Sequence, residues 1–199
     1  ILKQDESELC DAGYTEFGYS CYYNDDINVL NLFIQNSGES LNIELDDSNN
    51  DGEISWNELC RQNWVNGRLE QFSVFVGEVL PENNCNLSGN IPDNIGNWSE
   101  LKYLDLGYHP DPDNTSGLLT GTIPESIGNL SKLESLYLYN NSFEGNAPNI
   151  FDGLTQLKTL WLCNNYLTGV LPESLWSLVN LEILYLEDNQ FEGQISPDI

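Results

Sequence analysis

The chain has no methionine, one histidine, and only six basic residues against 32 acidic ones. A formal net charge of −26 repels phosphate backbones and anionic membrane surfaces, which excludes nucleic acid as a partner. The same charge aids solubility, and it also attracts divalent cations or basic partners. No apolar run approaches the roughly 20 residues that span a bilayer, so no membrane insertion is expected within this chain. No signal-peptide pattern opens it, and the start at Ile1 without a methionine points to a processed or partial chain. Catalytic signatures are missing as well: there is no nucleophile elbow, P-loop, paired-cysteine zinc motif or kinase signature. His109 stands in GYHPDPDNTSG beside Asp111 and Asp113, where it suits a solvated loop residue or, less readily, a metal ligand. No carboxylate pair is singled out among so many acids, and a non-catalytic protein is expected.

Five cysteines occur, at positions 10, 21, 60, 85 and 163. Four suit two disulfides, and the fifth is left over. Cys10 and Cys21 bracket a short glycine-containing segment that can turn back on itself, which pairs them. Cys60 with Cys85 then ties the N-terminal region to the first repeat of the chain, although four cysteines allow three connectivities. Such usage fits an oxidising, extracellular or cell-surface location. Sequons at Asn86, Asn97, Asn114, Asn129 and Asn140 point the same way.

Self-similarity organises the rest of the chain. LESLYLYNNSFEGNAP begins at Leu133, LKTLWLCNNYLTGVLP at Leu157 and LEILYLEDNQFEGQIS at Leu181, each 24 residues after the last. Earlier copies begin at Leu69 and Leu101, each stretched to 32 residues by an insertion after the strand. The leucines of LxxLxL point inward from one short strand per turn. Asn141, Asn165 and Asn189 turn their amides inward to satisfy backbone groups at the bend, while Cys85 and Gly117 occupy that slot in the first two turns. Segments such as PESIGNLSK should be extended or short 3₁₀ structure.

The pattern LxxLxLxxNxLxGxIPxxIGNLxx resembles the plant-type leucine-rich-repeat family, which includes receptor-kinase ectodomains and polygalacturonase-inhibiting proteins. The resemblance covers residues 69–199. It implies an α/β solenoid with short parallel strands on the concave face, preceded by a small helical N-terminal cap in residues 1–68. It also implies an extracellular module that binds protein or glycan without catalysis; the alternative is a structural subunit of a surface fibre or coat stabilised by calcium and glycans. The last repeat begins at Leu181 and is incomplete, so further sequence or end-to-end self-association is expected to cover its apolar face.

Within the cap, DDINVLNLFIQNSG reads as a helix with Asp25 or Asp26 as N-cap, Val29, Leu32 and Phe33 on one face, and Gly38 as its stop. Asp47-Ser-Asn49-Asn-Asp51-Gly52-Glu53-Ile54-Ser55-Trp-Asn-Glu58 then fits a 12-residue EF-hand loop. Asp47, Asn49 and Asp51 place oxygens at alternate positions, Glu53 offers its carbonyl, and Glu58 closes the site with two oxygens around a structural Ca2+. Ser55 and Glu58 also form a capping box that leads into a helix, SWNELCRQNW. A merely acidic turn is the simpler alternative.

Two columns of side chains run across the repeats. Ser73, Asp105, Tyr137, Trp161 and Tyr185 face the concave surface, with Tyr103 and Tyr139 beside them. Rings stacked on strands about 4.8 Å apart suit contact with a protein or carbohydrate ligand, and they equally suit strand propensity alone. Tyr103, Tyr137, Tyr139, Trp161 and Tyr185 are the candidate partner-binding residues. Glu70, Lys102, Glu134, Lys158 and Glu182 alternate in sign, a device that favours one register. Cys163 falls on the exposed strand face, where it could be buried by a neighbour, modified, or joined to another chain.

Overall fold

The computed structural model describes residues 10–18, 20–37, 55–57, 59–74, 85, 87–108 and 118–194. It is a solenoid of leucine-rich repeats. Strands β1 (Tyr14–Phe17) and β2 (Ser20–Tyr23) form an antiparallel hairpin, followed by helix α1 (Asn24–Ser37). Strands β3 (Arg61–Val65), β4 (Arg68–Ser73), β6 (Tyr103–Asp105), β8 (Ser135–Tyr137), β10 (Thr159–Trp161) and β12 (Ile183–Tyr185) make the concave sheet. From β4 to β12 the pairing is parallel, and β3 is antiparallel to β4. A second parallel sheet joins β5 (Gly89–Asn90), β7 (Leu119–Gly121), β9 (Ser142–Asn146), β11 (Tyr166–Val170) and β13 (Gln190–Glu192). Short 3₁₀ turns at Ile95–Asn97, Glu125–Asn129, Phe151–Gly153 and Glu173–Ser177 carry the chain back.

Each turn buries the leucines of its repeat: Leu133, Leu136 and Leu138 lie under Leu157, Leu160 and Leu162, all of them buried. Their carbonyls at the bend are paired by the asparagine ladder. Asn165 Nδ2 donates to the carbonyls of Leu138, Leu162 and Cys163 at 3.0, 3.1 and 3.2 Å, and its Oδ1 accepts the Phe143 N–H at 3.1 Å. Asn141 and Asn189 repeat the arrangement one turn to either side. In the first turn Cys85 stands in this slot and is bonded to Cys60, while Gly117 lies outside the described residues. A second disulfide joins Cys10, ahead of β1, to Cys21 in β2.

The cap is fastened to the first repeat by a buried polar junction. Asp26, wholly buried, accepts Arg68 Nε at 2.9 Å, Arg68 Nη2 at 3.2 Å and the Leu69 N–H at 3.0 Å. Trp98 Nε1 donates to the Asp26 carbonyl at 2.9 Å, and the rings of Phe33, Phe72 and Trp98 pack together beneath.

Three local expectations are corrected. Helix α1 begins at Asn24, so Asp25 and Asp26 lie in its first turn, and Asp26 serves Arg68 and Leu69 in place of a helix end. Leu30, not Leu32, is the fully buried leucine of its core face. The segment SWNELCRQNW forms no helix among its described residues: turns and bends lead to Cys60, whose φ is 55°, and β3 follows. The reason is the Asn66-Gly67 pair. Both residues take positive φ, 51° and 73°, the conformation of a tight hairpin turn between twisted strands. The flanking RQNWV alternates between exposed and half-buried residues, as a strand must.

A candidate ligand surface on the concave sheet

The register of the concave sheet sets side chains of successive strands side by side. Ser73 pairs with Asp105, Asp105 with Tyr137, Tyr137 with Trp161, and Trp161 with Tyr185. The rings form a continuous stripe. Centroids are 5.4 Å apart for Tyr103 and Tyr137, 5.1 Å for Tyr137 and Trp161, 5.4 Å for Tyr139 and Trp161, and 4.9 Å for Trp161 and Tyr185. All are tilted or edge-on, the arrangements that aromatic quadrupoles favour. Tyr185 is 43% exposed, so the stripe opens to solvent at that end. Trp161 Nε1 is buried without a hydrogen-bond partner.

At the other end of the stripe stands a buried carboxylate. Asp105 Oδ2 accepts the hydroxyl of Ser73 at 3.2 Å and that of Tyr103 at 3.4 Å, and Oδ1 accepts the Gly107 N–H at 3.1 Å. Burial first, and then the Asp105 charge, hold the phenols of Tyr103 and Tyr139 above their ordinary value of 10.0. Both are therefore neutral hydroxyls at any physiological pH. Cys163, which the repeat count sets on an exposed face, is a buried free thiol. Burial first, and then Glu187, raise its pKa, so it carries little thiolate and little reactivity.

The alternating charge column also lies in register. Lys102 Nζ is 2.9 Å from Glu70, and Lys158 Nζ is 2.6 Å from Glu134. A further pair, Lys132 with Glu100, spans adjacent turns. These exposed pairs hold register more than they add stability. Arg61, absent from the sequence-based candidates, extends the concave column, because its partner across β3 and β4 is Ser73. The signal for it was the Asn66-Gly67 turn, which makes 61–65 a strand.

The other candidate residues divide. Asn97 and Asn129 are exposed at the ends of their 3₁₀ turns, whereas Asn140 is half-buried with its Nδ2 donating to the Tyr108 carbonyl at 3.1 Å. Asp47, Asn49, Asp51, Glu53 and Glu58, together with Asn86, Asn114 and His109, lie outside the described residues. Among the described residues no group of three or more His, Cys, Asp or Glu could hold a metal ion, and no helix is long and apolar enough to cross a membrane.

Comparison with known proteins agrees with this architecture. A leucine-rich-repeat family model matches residues 131–191. A plant ice-binding protein superposes with a TM-score of 0.62 at 29% identity, over 85% of this chain and 50% of that one. The leucine-rich-repeat ectodomain of the receptor kinase SOBIR1 from Arabidopsis thaliana gives 0.59 at 27%, over 87% and 84%. That of the Arabidopsis thaliana membrane receptor kinase GASSHO1/SCHENGEN3, in complex with CASPARIAN STRIP INTEGRITY FACTOR 2, gives 0.60 at 27%, over 84% and 22%. The chain spans 16% of the plant peptide hormone receptor RGFR1 and 17% of a TDR receptor. No curated protein matches it by sequence. Neither the family model nor these neighbours indicate a catalytic family.

Proposed function

We propose that this chain is a non-catalytic, extracellular recognition module that binds a protein or peptide along the concave sheet. The observation that carries the reading is the unbroken stripe Tyr103, Tyr137, Trp161 and Tyr185, with Tyr139 at its side. Side chains that combine a large apolar face with a polar tip dominate binding surfaces. A stripe made only for strand pairing would not need to stay open to solvent. Two disulfides support an oxidising compartment, and the complex of GASSHO1/SCHENGEN3 with its partner supports binding by an ectodomain of this architecture.

The test is a binding screen of the purified chain against a random-peptide library and a glycan array, repeated with Trp161→Ala. Loss of about tenfold or more in affinity for selected peptides, with an unchanged melt, supports the reading. Binding to glycans alone redirects it to carbohydrate, and affinity indifferent to Trp161 removes the concave face from it.

A structural calcium ion in residues 47–58 is the second part of the proposal. It rests on the spacing of Asp47, Asn49, Asp51, Glu53 and Glu58 alone. The ion would stiffen the segment that leads from α1 to β3.

A further inference from the structure

Arg61 opens the concave column that ends at Tyr185. Its strand partner is Ser73, and Ser73 pairs in turn with Asp105, so β3 sets a guanidinium at the head of the aromatic stripe. The charge inventory sets this residue apart. Of the six basic residues, Arg68, Lys102, Lys132 and Lys158 each hold a carboxylate, and Lys3 lies outside the described residues. Arg61 is exposed and is the one cation among the described residues with no ion pair. In a chain carrying 32 carboxylates, a guanidinium left unpaired has not been drawn into the surface network that engages the others.

Arg61 also borders a cleft of about 460 Å³, shared with Asn63, Gln71, Ser73 and Tyr103. The hydroxyls of Ser73 and Tyr103 are turned toward Asp105, so the planar fork of Arg61 is the cationic donor of the cleft. That fork matches the two oxygens of a carboxylate.

We propose that Arg61 anchors a carboxylate of a peptide segment that lies across the concave strands, with the apolar side chains of that segment on Tyr137, Trp161 and Tyr185. The inference rests on the reading of the concave face as a binding surface, and it adds the ligand's chemistry and direction. The field of the whole chain narrows the class further. A net charge of −26 repels polyanions such as uronic-acid polymers, whereas a peptide that is neutral or basic overall can bring a single carboxylate to Arg61. The carboxylate can be a chain terminus or an acidic side chain, and one experiment separates the two.

Random decapeptides tethered through their N-termini serve as the probe in three versions: free C-termini without Asp or Glu, amidated C-termini with Asp and Glu, and amidated C-termini without either. The wild-type chain should select binders from the first or the second library and none from the third, and which of the two succeeds identifies the source. Arg61→Gln should weaken the selected peptides about tenfold or more, and Arg61→Lys should retain part of the affinity. Both variants should melt as the wild type does, because the side chain is exposed. Binders from the third library that match the others, or full affinity in Arg61→Gln, overturn the inference. If Trp161→Ala loses binding while Arg61→Gln keeps it, the concave face stands and the carboxylate anchor falls. If neither substitution matters, or no library yields a binder, both fall.

Discussion

The ring of Tyr139 lies across Gly107 of the preceding turn, in the space that a Cβ at that position would occupy. The same ring packs against Trp161, with centroids 5.4 Å apart, and its hydroxyl feels the charge of Asp105. Gly107 is not among the residues with positive φ, so an alanine there meets the ring and not backbone strain. Gly107→Ala should displace Tyr139 and cost about 1 kcal/mol by overpacking, read as a lower urea midpoint and an altered near-ultraviolet dichroism of the stripe. An unchanged aromatic spectrum would contradict it.

Asn165 is buried and serves four backbone groups from two turns. Replacing it with alanine leaves the Phe143 N–H without its acceptor, at about 1–3 kcal/mol for an unmet buried group. It also takes one donor from the carbonyls of Leu138, Leu162 and Cys163, which keep Asn141, Asn189 and the Asn140 N–H. Asn189 makes the same bonds from a half-buried position, where water can substitute. Asn165→Ala should therefore lower the urea midpoint well beyond Asn189→Ala. Equal losses would show that burial does not govern the ladder.

The ladder and the concave column from Ser73 to Tyr185 were legible because a fixed period fixes both inside and outside positions: once Leu136 is buried, Tyr137 must face out. Arg61 was not legible along with them. A capping pattern around Ser55 and neutral helix propensity favour a helix, whereas the Asn66-Gly67 pair, flanked by alternating RQNWV and RLEQFS, is the local signal that decides the fold. Asp26 failed for a different reason. Sequence spacing makes it a helix cap, whereas its burial and its bond to Arg68, 42 residues away, come from tertiary packing that no local pattern encodes. The lean of Tyr139 onto Gly107 depends on a side-chain direction, which repeat spacing leaves open.

The sequons should separate by exposure. Asn97 and Asn129 occupy equivalent exposed positions one turn apart, while Asn140 takes φ 54° and commits its amide to Tyr108. In a glycosylating eukaryotic host, Asn97→Gln and Asn129→Gln should each remove one glycan by intact mass, and Asn140→Gln none. A glycan lost with Asn140→Gln would sink this assignment.

Calcium titration by calorimetry should give one ion per chain. Asp47→Ala and Glu58→Ala should abolish the heat and lower the melting temperature in calcium but not in chelator. A wild-type melt identical in calcium and in chelator would remove the ion from the cap.

The Asp26 junction makes a prediction whose sign depends on which force dominates. Burial raises the Asp26 carboxyl above its ordinary 3.8, against the pull of Arg68 and of the Leu69 N–H. A carboxyl raised in the folded state binds protons more readily there than in the unfolded chain. Its contribution to stability is therefore complete below the ordinary value and is lost as pH climbs through the raised one. Asp26→Asn cannot ionise and lacks that slope. Wild type should accordingly lose ground to Asp26→Asn as pH rises through the interval just above 3.8, measured by urea unfolding of both proteins across it. Asp26→Ala should be destabilised on both sides of that interval, because the Leu69 N–H loses its acceptor, and by about 3–5 kcal/mol at neutral pH, where Arg68 is also left without its partner. Should wild type instead gain on Asp26→Asn as pH rises, the attraction to Arg68 would outweigh desolvation, and the carboxylate would be a net stabilising charge at the joint between cap and repeats.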